Sequence, residues 1–102
     1  MKIVLKPNEM IIRAGTSNFR YNDLMIQGKL IVTNQCIYFK TLKAEDQEYN
    51  REISPAEICD LIFFNICWIL PYGMNIITRN GSEHPFTVKN RNEWARLITK
   101  MY

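Results

Sequence analysis

A lone histidine, three cysteines and a short acidic cluster are the residues of this chain with the most chemistry in them. His84 is the sole imidazole. A working general base needs a nucleophile to activate and a third group to orient it, and no Ser or Cys stands in a spacing that supplies either. Its setting, SEHPF, places it beside Pro85 and reads as an exposed turn. Glu83 and Asp60, the nearest acids, form no recognisable pair. Cys36, Cys59 and Cys67 are odd in number and lack the Cys-x-x-Cys spacing of a zinc or redox site. They read as small buried hydrophobes. Glu45, Asp46 and Glu48 fall in a stretch without the glycine a calcium loop needs at its sharp turn. Glycine-rich phosphate loops are missing. The chain is therefore expected to be no enzyme, and to carry no metal and no cofactor.

Composition bounds what remains. At 102 residues, 47% hydrophobic and 23% charged, the chain is expected to be one soluble globular domain, residues 1–102. Thirteen basic residues against ten acidic give a net charge of +3, which permits an anionic partner without arguing for one. Five Tyr, five Phe and two Trp are enough aromatics to stack nucleic-acid bases. Most of them fall at strand positions that alternate inward, however, and the basic residues are dispersed rather than in a stripe, so nucleic acid is not the expected partner. The opening MKIVLKPNEM has one Lys ahead of an apolar run of three and no small-residue cleavage site. Met1 is expected to be the mature start and the protein to be cytoplasmic.

The hydrophobic period is mostly two. EMIIRAG reads as a strand, GTSNFRYND as a loop over 15–23, and LMIQGKLIVT as a longer strand. GKLIVTN and QCIYFK predict a hairpin about Thr33, Asn34 and Gln35, with Asn34 suited to a left-handed conformation. LKAEDQEYN over 42–50 reads as a solvated loop, REIS as a short strand, and Pro55 as the start of a turn. GMNIITR and SEHPFTVK flank Asn80-Gly81, a strong hairpin signal because both residues tolerate positive φ. From Asn90 the period becomes 3.6. Asn90 and Glu93 have the spacing of a capping box, and Trp94, Leu97, Ile98 and Met101 share one face of a helix over about 90–101. The sum is about seven antiparallel strands that must close or be covered at their edges, with a helix plugging the opening.

In that order these phrases resemble the GRAM domain, a branch of the pleckstrin-homology-like fold. PNEMIIRAG is similar to its opening strand, and GKLIVTNQCIYF to its most recognisable phrase. EISPAEICDL and GMNIITRNGSEHPFTVKNRNEW are similar to its short middle strand and its last hairpin and helix start. The resemblance implies a partly open barrel with a C-terminal capping helix and a non-catalytic adaptor or scaffold module. It also implies an association with membranes, through phosphoinositides or partner proteins. The basic residues of the region around the first hairpin are Arg13, Arg20 and Lys29, the candidates for contact with anionic membrane lipid. They are widely spaced, with Asp23 among them. Gly28 is expected to bend its strand, and Trp94 to fill the barrel mouth.

The most hydrophobic segment is LIFFNICWILPYG, residues 61–73. Ten residues between Asp60 and Pro71 are too few for a membrane helix. Laid on a strand, Leu61, Phe63, Asn65, Cys67 and Ile69 share one face, and Ile62, Phe64, Ile66, Trp68 and Leu70 the other. One face can line the core. The second must lie under the helix, whose narrow stripe is spent on the barrel mouth, under a loop such as 15–23, with Phe19 and Tyr21, or against another molecule. Ile62, Phe64, Ile66, Trp68 and Leu70 are accordingly the candidate protein interface, most simply with a second copy in a two-fold dimer.

Overall fold

A computed structural model describes residues 5–66 and 69–102. Seven strands follow in chain order: β1 (Ile11–Tyr21), β2 (Leu24–Thr33), β3 (Ile37–Thr41), β4 (Arg51–Ile53), β5 (Ile58–Ile66), β6 (Leu70–Thr78) and β7 (Glu83–Thr87). The helix α1 (Arg91–Thr99) ends the chain's regular structure. All pairs are antiparallel, in the order β4-β3-β2-β1-β7-β6-β5. The sheet is open, with β4 and β5 at its edges. It curls, because one core takes Ile53 of β4 and Ile58 of β5 together with Leu30, Phe39, Met74 and Phe86. Trp94 and Ile98 of α1 close that core, both nearly inaccessible. Leu97, expected to be buried with them, is only half-buried.

β1 joins the two halves. It pairs with β2 along its length but with β7 only at Asn18↔Thr87 and Phe19↔Phe86. Beyond those pairs the two strands part. The predicted loop over 15–23 is therefore strand as far as Tyr21. Gly15, Ser17 and Phe19 alternate toward the interior, and that packing overrides the weak strand preference of Gly, Ser and Asn. Phe19 is 1% exposed in the core, so this side chain does not fold over the described residues of 61–70. The turn is left to Asn22 and Asp23, with Asn22 at φ 54°; Asn adopts this left-handed conformation more readily than most residues.

Several local expectations give way to other contacts. Asn34 does not take positive φ. Its side chain instead accepts the Met10 N–H (2.7 Å) and donates to the Asn8 carbonyl (3.0 Å). Asn90 precedes α1 at φ 58° with no side-chain cap bond, and the Glu93 carboxylate pairs with Arg13 at 3.1 Å rather than reaching back. Gly28 is required by close approach. A Cβ there would stand 2.4 Å from the Lys40 carbonyl oxygen and 2.7 Å from the Phe39 ring. Part of the predicted loop over 42–50 is a short 3₁₀ helix, Ala44–Tyr49. Cys36 is buried but Cys59 is exposed on β5, where its side chain has no core to enter; Cys67 lies outside the described residues. His84 is on β7 rather than on a turn, half-buried, its ring stacked on Phe19 at 6.3 Å.

Candidate functional site

The apolar run over 61–70 is not one strand. β5 ends at Ile66, β6 begins at Leu70, and Ile66 and Leu70 pair across the turn between them. A register shift between Phe64 and Ile66 disturbs the ladder just before that turn. The hairpin lies at the edge of the sheet, with β5 the last strand.

Its inner face is shared between core and helix. Leu61 packs against the core, and Phe63 lies under the guanidinium of Arg91, 4.4 Å from the ring centre. Arg91 also donates to the Phe64 carbonyl at 2.8 Å and to the Gly73 carbonyl at 3.3 Å. The first residue of α1 thereby fixes the hairpin to the helix, although the sequence pattern sets Arg91 off the helix's apolar face.

The outer face is open. Ile62 is 45% exposed and Leu70 40%. Ile69 in the turn is 79% exposed, which the strand-face reading assigned to the opposite set. Phe64 and Ile66 are half-buried. Phe64 covers Gly73 across the strand pair: a Cβ on Gly73 would meet its ring at 2.4 Å. Trp68 lies outside the described residues. Four of the five residues read as an interface are thus near one another on the hairpin, two well exposed and two partly covered.

The basic residues read for lipid contact are not brought together. Arg13 is on the inner side of β1, paired with Glu93 and stacked 5.0 Å from the Trp94 ring. Arg20 stands opposite Met25 and Lys29 opposite Thr16. Four residues of strand between Thr16 and Arg20 amount to about 13 Å.

Glu9, Thr33 and Asn34, which carry much of the family resemblance, meet at the other end of the sheet. Glu9 is 6% exposed. It accepts the Lys6 N–H (2.8 Å), the Tyr38 hydroxyl (2.7 Å) and the Thr33 hydroxyl. Thr33 in turn accepts the N–H groups of Gln35 (3.1 Å) and Cys36 (2.9 Å), closing the β2–β3 turn. Burial pushes the Glu9 carboxyl up, but these donors and the Lys6 charge together hold it below the usual carboxylate range. Tyr38 is pushed up to about 12 by burial and by its bond to Glu9. Lys6 is raised above the usual amine range, chiefly by its 2.8 Å contact with Glu52. Every polar group here is answered within the chain, so the cluster pins the N-terminal segment to the sheet.

No protein-family model and no curated protein matches the sequence. Among solved structures, the C-terminal domain of an unknown protein from Leishmania infantum superposes with a TM-score of 0.78 at 15% identity, over 93% of this chain and 86% of that one. The Vps36 N-terminal PH domain gives 0.67 at 9% identity, over 96% of this chain and 80% of that one. The fold is pleckstrin-homology-like. A linker-DH/PH structure of p115-RhoGEF gives 0.70 at 8% identity, over 94% of this chain and 30% of that longer one. The pleckstrin-homology-like frame accounts for the open sheet and for α1 across its mouth. Among the described residues no helix is long and apolar enough to cross a membrane.

Proposed function

We propose that this chain is a non-catalytic binding module of the GRAM branch, an adaptor or scaffold that docks protein through the outer face of the β5–β6 hairpin. Its simplest partner is a second copy of itself. The observation that carries this reading is the exposure of Ile62, Ile69 and Leu70 together at the last strand of an open sheet. Burying such side chains against a partner is worth about 25 cal/mol per Å², and contiguous apolar exposure of this kind marks interaction sites. The GRAM assignment draws support from the phrases around Glu9 and Thr33-Asn34, and non-catalytic binding from the pleckstrin-homology-like frame. The matching setting is the cytoplasm.

Light scattering on purified protein at micromolar concentration tests self-association directly. A mass of twice 12.1 kDa is expected, falling to the single mass in Ile62→Glu and Leu70→Glu. A wild-type monomer at all concentrations would sink the self-association. The alternative reading, contact with anionic membrane lipid, draws support from Arg20 and Lys29, both exposed. Salt-sensitive sedimentation with anionic but not neutral liposomes is the result that would favour it.

A further inference from the structure

We infer that two copies of this chain meet through the outer face of β5, β6 and β7 together, in the one two-fold arrangement that sets Glu83 of each copy against the partner's Lys89. Such a contact rests on the self-association proposed above, to which it adds a third strand and the direction of the symmetry axis.

The pairing register orders this face. Asp60, Ile77 and Glu83 form the row at one end, across all three strands. Ile62 and Pro85 stand in the next row, opposite Asn75, and Phe64 and Thr87 in the one after, opposite Gly73. These residues point outward, because Met74, Ile76 and Phe86 between them are core. Val88 is core again and donates its N–H to the Tyr72 carbonyl at 2.8 Å, which continues the pairing one residue past Thr87. Lys89 follows, exposed, in the wall of the same cleft as Thr87 and Tyr72. Six residues of extended chain separate it from Glu83, roughly 20 Å.

The face is thus acidic at one end and basic at the other, with Ile62, Phe64, Ile77 and Pro85 between. Asp60, Glu83 and Lys89 are all exposed and in no ion pair among the described residues. Arg79, beyond the acidic row, turns its guanidinium to the Ala56 carbonyl at 2.9 Å.

Charge selects the symmetry. Two copies of one face pack about a two-fold axis lying in their plane of contact. An axis along the strands would set acid against acid and lysine against lysine. An axis across the strands sets Glu83 against the partner's Lys89, twice over. The midpoint between residues 83 and 89 is Phe86, which is level with Met74 on β6 and, through it, with Phe63 on β5. An axis over that row also brings Ile62 against the partner's Phe64 and Ile77 against the partner's Pro71. Ion pairing and apolar contact therefore ask for the same axis, a coincidence that a second copy exploits and a partner of unrelated sequence does not need. Packed sheets lie about 10 Å apart, which Glu and Lys side chains span from opposite sides.

Sedimentation equilibrium of the chain with Glu83→Lys, with Lys89→Glu and with both is the test. Each single substitution places like charges together at both symmetric contacts and should weaken the dimer about tenfold, the two exposed pairs acting together. The double variant, and an equimolar mixture of the two single variants, restore opposite charges and should recover wild-type dimerisation. Added salt should weaken the wild-type dimer by screening the pairs. Circular dichroism reports whether each variant is folded, and Lys89→Glu leaves the 2.9 Å hydrogen bond from Asn75 to Glu83 in place. A dimer that Ile62→Glu dissociates but both single charge variants leave intact overturns this arrangement and spares the hairpin interface. Weakening by the single variants that neither the double variant nor the mixture repairs overturns it equally. A wild-type monomer at all concentrations overturns both.

Discussion

The guanidinium of Arg91 lies 4.4 Å from the centre of the Phe63 ring, tying the first residue of the helix to the edge strand of the sheet. The same group reaches the Phe64 carbonyl at 2.8 Å. Cation–π contacts at partly exposed sites contribute about 0.5–1 kcal/mol, and a charged hydrogen bond about 1.5–3 kcal/mol. Arg91→Ala is expected to lower stability by about 1–3 kcal/mol. Hydrogen exchange should locate the loss, with amides of β5 and β6 exchanging faster and those of β2 and β3 unchanged. Uniform acceleration throughout the sheet would contradict a local clamp.

Trp94 is 3% exposed and faces Gly15, where a Cβ would meet its ring at 3.1 Å. Trp94→Ala should cost about 3–5 kcal/mol by leaving a cavity at the mouth of the barrel. Chemical denaturation gives the number. A loss under about 1 kcal/mol would show that the helix does not rest on this side chain.

Gly28 offers a complementary test, because it has no room rather than too much. The Lys40 carbonyl cannot retreat without breaking the β2–β3 ladder, so Gly28→Ala is expected to destabilise by about 1–3 kcal/mol. Gly81, at φ 87° with open space around a Cβ, should instead suffer from backbone strain alone on substitution, about 1 kcal/mol. Paired denaturation curves for the two variants compare crowding with conformation.

Acid should lower the protein's stability in two stages. Burial holds the His84 imidazole below its ordinary value, and the Arg51 charge adds to this. The unfolded chain therefore takes up more protons as pH falls through the ordinary histidine range, and stability falls with it. Glu9 is held below the ordinary carboxylate range despite burial, by its hydrogen bonds from Lys6, Thr33 and Tyr38. Its contribution is complete above the unfolded carboxylate value and is lost as pH drops through the lower folded one. The melting temperature against pH should thus decline first near the histidine range and again in the carboxylate range. His84→Gln is expected to remove the upper decline and Glu9→Gln to remove the lower. An unchanged profile in either variant would assign that stage to another group.

Much of this structure was written locally. Alternation at Leu30, Val32, Ile37 and Phe39 specifies two core strands, and all four are buried. Asn80-Gly81 specifies a tight turn, which forms with Gly81 at positive φ. Trp94 and Ile98, four apart, specify the helix face that closes the core. In each case the signal is a period or a backbone preference carried by neighbouring residues, and sequence is sufficient to read it.

What only the tertiary structure decided depends on register and on contacts between distant segments. GTSNFRY has poor strand propensity, and becomes strand because Phe19 has a core to enter and β2 to pair with. Asn90-x-x-Glu93 has the spacing of a capping box, but Glu93 is drawn to Arg13, eighty positions away in the chain. Residues 61–70 are apolar on both faces apart from Asn65, so their pattern has no phase from which to find the turn; pairing with β6 places it. Lys29 and Lys40 look unrelated along the chain. They stand opposite one another because antiparallel strands juxtapose residues according to register, which the spacing of charges in sequence does not encode.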